Sequence, residues 1–190
     1  VTVTTREGNQ QVNKDEQPFL AKPEKIPHLK PAFREGGTVT AANSSSISDG
    51  AAALSLASKG AVTAHNLDVK AQICGHAGFA HTPGWFTTAP IFAARKLLKK
   101  LGWQASDVDV WEVNEAFAVV AMAFIRELEI DPEHVNIHGG ACALGHPIGA
   151  SGARILVSLL NALKQSGGSK GLAAICLGGG EGIAVAVEAA

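Results

Sequence analysis

The stretch VDVWEVNEAFAVVAMAFIRELEI, residues 108–130, decides the architecture. VDVWEV reads as a short strand, and after two polar residues AFAVVAMAFIRELEI reads as a helix that is apolar almost all the way round. Such a helix needs cover, and a sheet supplies it. The same order recurs on either side. LDVKAQICG is strand-like, and PIFAARKLLKKLG is a helix with Pro90 in its first turn and Gly102 at its end. HVNIHGG reads as a further strand and ARILVSLLNALKQSGG as a further helix, with Leu156, Leu159, Leu160 and Leu163 on one face. GLAAICLGG and GIAVAVEA close the chain as two apolar strands joined by glycines. Alternating strands and helices predict an α/β fold, a layered sheet covered by helices on both faces.

The first forty residues are different. VTVTT alternates as a half-buried strand, but Pro18, Pro23, Pro27 and Pro31 exclude a long helix in the stretch up to residue 31. TVTAA at 38–42 is strand-like, NSSSISDG is a loop, and AAALSLASKG is expected to be a short helix closing at Gly60. The composition shift near residue 37 is the visible boundary.

With 190 residues, 46% hydrophobic and 17% charged, the chain can bury a sizeable core. A net charge of -1 gives no attraction to nucleic acid or to a membrane surface. VTVTTREGNQ is no signal peptide, and no run reaches the roughly 20 apolar residues of a membrane span. The three cysteines, Cys74, Cys142 and Cys176, are odd in number and far apart, which fits free thiols and a cytoplasmic setting. The only methionine is Met122 and the chain opens at Val1, so a longer translation product is expected.

GGACALGHPIGASG, residues 139–152, holds five glycines and His146. It mimics a phosphate loop, GxxxxGK[ST], but His146 replaces the lysine and Pro147 the hydroxyl residue, which removes the charge and the magnesium ligand. LGGGEGI at 177–183 fails the dinucleotide pattern and leads into a strand. The glycines at 178–180 suit close approach of a ligand to backbone N–H groups that hold an oxyanion. His146 reads either as a histidine bonded to backbone or as a neutral proton acceptor near a helix start. Cys176 reads as core or as catalyst, and Asn114 as N-cap or as site residue. All three follow the end of a strand, where ligands of an α/β sheet collect.

NEAFA at 114–118, GGACALGHPIGASGARI at 139–155 and CLGGGEG at 176–182, together with KPAF and GTVTAANSSSISDGAAAL upstream, resemble the thiolase family across the chain. The resemblance identifies it with the C-terminal half of a thiolase subunit. It implies a thiolase fold, a layered α-β-α domain with a mixed five-stranded sheet. Residues 1–48 would belong to the loop domain covering coenzyme A, 49–69 would complete the N-terminal α/β domain, and 70–190 would form the C-terminal domain.

The implied activity is the Claisen condensation of acyl-CoA and its reverse, thiolysis of 3-oxoacyl-CoA, with the acetyl-CoA C-acetyltransferase type favoured. The CoA thioester is substrate, and no further cofactor or metal is implied. His146 matches the histidine that takes a proton from the nucleophilic cysteine and helps bind the thioester oxygen. Asn114 matches the asparagine whose bound water completes that oxyanion hole. Cys176 matches the acid/base acting on the α-carbon, and Gly178 the N–H of a second oxyanion hole. Ser45 matches a contact to the pantetheine arm, and Phe33 and Phe117 lie near that channel.

The family's nucleophilic cysteine lies in the N-terminal half of the subunit, an expected partner together with a second copy in a homodimer or homotetramer. None of the three cysteines here replaces it. A non-catalytic fragment of a cleaved thiolase is the alternative. Glu181 stands where Met or Gln is expected, Phe19 where relatives carry arginine, and Trp85 and Phe86 where the acyl pocket is shaped.

Overall fold

A computed structural model describes all 190 residues. It divides into two compact units, Val1–Lys30 and Pro31–Ala190. In the first unit, β1 (Thr2–Thr5) and β2 (Gly8–Gln11) pair antiparallel, followed by one turn of helix, α1 (Gln17–Leu20), and a 3-10 stretch at Pro23–His28. VTVTT is a strand, as its alternation predicts, but both of its faces are exposed. A two-stranded hairpin has no second layer of its own to bury a face against.

In the second unit, residues 41–43 form a 3-10 turn rather than the expected strand, because Thr40 and Asn43 cap one another across it. The expected helix over 51–60 is displaced: α2 runs Lys59–His65, opened by the Ser58 hydroxyl, which accepts from the Ala61 N–H. The remaining elements are β3 (Ala71–Ala80), α3 (Ala89–Leu101), β4 (Val110–Val113), α4 (Ala118–Leu128), the one-turn α5 (Ala141–Leu144), α6 (Ser151–Ser166), β5 (Lys170–Leu177) and β6 (Glu181–Ala189). Every strand and helix expected beyond residue 66 is present, except one.

The sheet runs β3-β6-β5-β4, with β4 and β5 parallel and the other pairs antiparallel. It is mixed, as expected, but has four strands and not five. The ladder pairing of HVNIHGG with β4 is limited to one parallel bridge between Val135 and Trp111. Asn136 ends the pairing there, because its backbone is left-handed (φ 49°). Its side chain then takes over: Oδ1 accepts from the Val113 N–H at 2.8 Å and Nδ2 donates to the Val113 carbonyl at 2.9 Å. One amide thus satisfies the edge of β4 where a strand would otherwise be needed.

Strand periodicity divides the side chains between two cores. Trp111, Val113, Leu172, Ala174, Cys176, Ala184 and Ala186 pack with α3 and α4. Val110, Ala173 and Val187 pack with Ile155, Leu159, Ala162 and Leu163 of α6. Helices therefore cover both faces, which is the α-β-α layering. Trp111 and Phe124 meet edge to face at 5.6 Å, with both rings almost wholly buried. No helix is long and apolar enough to cross a membrane.

Candidate active site

The loop after β4 begins at Asn114, whose N–H donates to the Ala174 carbonyl of β5 at 2.9 Å. That bond continues the parallel ladder for one residue past β4, so Asn114 lies beside the strand that carries Cys176 two residues further on. Asn114 is fully buried. Its side-chain Oδ1 accepts from Arg154 Nη2 over 3.5 Å, while Nδ2 has no partner. The N-cap alternative is excluded, because α4 is preceded by Phe117.

His146 is held at both ends. Its N–H donates to the Ser46 carbonyl at 2.9 Å, and Nδ1 lies 2.6 Å from the hydroxyl of buried Ser151, the first residue of α6. That hydroxyl is also 3.1 Å from the Pro147 carbonyl. A hydroxyl has one proton to give, and a carbonyl only accepts. Both contacts are satisfied if Ser151 donates to Pro147 and accepts from Nδ1–H, which leaves Nε2 as the bare acceptor of a neutral ring. Burial, and after it the charge of Arg154, holds the imidazole below its usual pKa. The expected neutrality near a helix start thus has burial as its leading cause. Pro147 lies in the turn before α6 and not in its first helical turn.

The glycine loop around His146 is shaped by close approach. At Gly145 the backbone is left-handed (φ 87°), and a Cβ there would sit 2.2 Å from the Ser48 hydroxyl. At Gly140 a Cβ would fall 2.1 Å from the carboxyl carbon of Glu115. Glu115 uses the vacated space: Oε2 accepts from the Cys142 N–H at 3.1 Å and Oε1 from Asn136 Nδ2 at 2.8 Å. One carboxylate therefore ties the loop of Asn114 to the loop of His146. A cleft of about 430 Å³ lies between residues 48–52 and 147–150, with Ala153 completing its lining; His146 does not line it.

Ser45, Phe33 and Phe117 form a second group around the loop after Asn114. Ser45 donates both its N–H (3.1 Å) and its hydroxyl (3.0 Å) to the Ala116 carbonyl, and Ser44 bridges Phe117. Phe33 and Phe117 meet edge to face at 5.4 Å, and Phe86 stands 6.4 Å from Phe117. Because Ser46 holds His146, residues 44–46 connect this aromatic group to the imidazole.

Cys176 is buried on β5 opposite Gly182, and burial pushes its thiol up to about 11. Gly178 follows in an exposed turn, with open space where a side chain would be, and the Glu181 carboxylate lies against Gly179. No hydrogen bond joins the side chains of His146, Asn114 and Cys176 directly. Their common frame is α6 and the parallel register of β4 with β5. Burial likewise raises Cys142 to about 11, with Glu115 adding to it, and all three cysteines are free.

Sequence reasoning overlooked Ser151, Arg154, Glu112 and Glu115. Glu112 is buried on β4, lacks a partner at Oε1, and is pushed up to about 7 by burial against the opposing pull of Arg154. Its signal was available: a carboxylate inside an otherwise apolar strand, VWEV.

These groups define an α/β protein that holds a neutral imidazole in the loop before α6, a buried amide just past β4 and a buried thiol near the end of β5; the expectation that His146 follows a strand is not met, because HVNIHGG forms none. The chain belongs to the thiolase family: residues 67–189 match the thiolase C-terminal domain and residues 1–60 the thiolase N-terminal domain. It thus carries segments of both domains. It is 46% identical over 99% of its length to the probable acetyl-CoA acetyltransferase of Escherichia coli and 49% identical, also over 99%, to acetyl-CoA acetyltransferase 1 of Arabidopsis thaliana. It covers 49% and 46% of those proteins, so the chain spans about half the length of the curated relatives it matches.

Among solved structures, the acetyl-CoA acetyltransferase of Bacillus anthracis superposes with a TM-score of 0.91 at 43% identity, over 100% of this chain and 48% of that one. The Acat5 thiolase of Ascaris suum in complex with coenzyme A gives 0.85 at 43% identity, over 94% and 47%.

Proposed function

We propose that the protein is an acyltransferase of the acetyl-CoA C-acetyltransferase type, acting in condensation of acyl-CoA and in thiolysis of 3-oxoacyl-CoA. The observation that carries this is the first turn of α6. It holds the neutral His146 ring through Ser151 and the buried Asn114 amide through Arg154, leaving Nε2 and Nδ2 without protein partners. The names of the relatives support the substrate class.

In this reading His146 Nε2 takes the proton of the nucleophilic thiol, and the resulting N–H then donates to the thioester oxygen. Asn114 Nδ2 supplies the second donor through a bound water. Two donors on one oxygen stabilise the enolate that a thiolate base of modest strength would otherwise fail to form. Cys176, protonated at neutral pH because it is buried, acts first as the acid and, once it has given up its proton, as the base at the α-carbon. Gly178 offers its N–H to the tetrahedral acyl intermediate, and Ser45, Phe33 and Phe117 line the path of the pantetheine arm.

The acylated nucleophile is none of these three cysteines in this reading: Cys176 is the acid/base, and the thiols of Cys142 and Cys74 donate to the Glu115 and Gln72 carbonyls. We assign that thiol to the half of the relatives' length that this chain does not span, in a cytoplasmic homodimer or homotetramer. Thiolysis rates of the full-length polypeptide with acetoacetyl-CoA and with a medium-chain 3-oxoacyl-CoA test the proposal. A clear preference for acetoacetyl-CoA is expected, and equally poor turnover of both overturns it.

A further inference from the structure

The proposed function uses the Asn114 amide as a donor but leaves unexplained what turns it that way. An asparagine amide is nearly symmetric in shape, so its orientation is decided by what its oxygen finds. Here the oxygen finds a cation. Arg154 Nη2 donates to Oδ1, while its Nε and Nη1 are buried without partners. The chain's two ion pairs are Lys70–Asp68 and Arg95–Glu127, so Arg154 is not held in a salt bridge. Its charge acts on Glu112, whose own Oε1 is unpartnered and buried.

Three polar side chains thus meet on the α6 face of β4 with donors to spare. An unpaired buried donor costs about 1–3 kcal/mol, a cost that persists where a ligand supplies the partner. Nδ2 of Asn114, in a residue with no exposure at all, is such a donor.

We propose that Arg154 is a positioning residue of the active site: its guanidinium captures the Asn114 amide oxygen, so that the amide presents its N–H groups to the oxyanion position. Ser151, three residues earlier on the same face of α6, does the corresponding work for His146, fixing Nδ1 as donor and Nε2 as acceptor. One helical turn therefore sets the donor and acceptor sense of both polar groups. A cation on Oδ1 also polarises the amide and strengthens its N–H donors in a low-dielectric surrounding.

This inference rests on the proposed function, and its test separates the two. In the full-length polypeptide, Arg154→Met is expected to lower kcat for acetoacetyl-CoA thiolysis by roughly 10- to 100-fold, somewhat less than the loss of an oxyanion donor itself. KM should stay within about two-fold, the pattern of an interaction realised in the transition state. Arg154→Lys keeps the charge without the fork, so kcat should be partly restored; if the methionine variant does not fold, a lowered kcat at unchanged KM in Arg154→Lys decides in its place.

Side-chain amide resonances of Asn114, recorded by NMR on the 190-residue chain, report the capture without turnover. Shifted amide signals in Arg154→Met or Arg154→Lys, in a protein without thiolysis, would sink the function and leave the capture standing. Unchanged amide signals, or wild-type kcat in both variants, overturn the inference.

Discussion

Glu112→Gln removes a buried and incompletely partnered carboxylate. Glu112 is 1% exposed, its Oε1 has no partner, and burial lifts its carboxyl from 4.5 to about 7 despite the pull of Arg154. At about 1.36 kcal/mol per pH unit, that difference amounts to about 3 kcal/mol of stability. The sign depends on which form the fold prefers. Folding favours the protonated acid, so the wild-type chain is most stable below 4.5, loses stability as pH rises to about 7, and stays at the lower level above it. Glutamine does not titrate. The variant should therefore match the wild type near about pH 4 and exceed it by up to about 3 kcal/mol near about pH 8. Urea unfolding of both chains across that range gives the difference, because titrating groups not coupled to Glu112 cancel. A difference that does not change with pH refutes the account. So does a variant that is several kcal/mol less stable at the higher pH, since that is the signature of a broken buried ion pair.

Other consequences can be checked alongside. Gly145→Ala places a Cβ 2.2 Å from the Ser48 hydroxyl on a left-handed backbone, and should cost about 1–3 kcal/mol in chemical denaturation. Asn136→Ala strips Val113 of two backbone partners and Glu115 of one, and should lower stability by about 2–4 kcal/mol in the same assay. The His146 ring should titrate by NMR below the ordinary 6.5, because burial opposes its charged form. As a histidine whose folded value is depressed, it contributes stability that is present above 6.5 and lost as pH falls toward the folded value. A His146 midpoint at or above 6.5 contradicts the half-buried placement.

Much of this arrangement is legible in the sequence. The 3.6-residue apolar period of α6 and the strand–helix alternation from residue 71 onward locate every layer, because burial on a sheet face leaves a direct mark on side-chain type. HVNIHGG misleads for a local reason. Its β-branched residues promise a strand, yet the left-handed Asn136 turns the chain and substitutes a side-chain amide for the ladder. AAALSLASKG misleads because alanine content predicts helix propensity, while only the cap at Ser58 fixes where the helix starts. At the site, His146, Asn114 and Cys176 are visible as reactive types in or beside polar and glycine-rich loops, although only Asn114 directly follows a strand. Ser151, Arg154 and Glu115 are not, because their roles depend on which loop they approach in space, and sequence spacing does not record that approach.

In the proposed reaction, Asn114, His146 and Cys176 carry out carbon–carbon chemistry on a CoA thioester. Its most direct test is exchange of the α-protons of acetyl-CoA with solvent deuterium, measured with Cys176→Ala in the full-length polypeptide beside acylation of the nucleophile. The account predicts that exchange is lost while acylation persists. Exchange at the wild-type rate in that variant contradicts it.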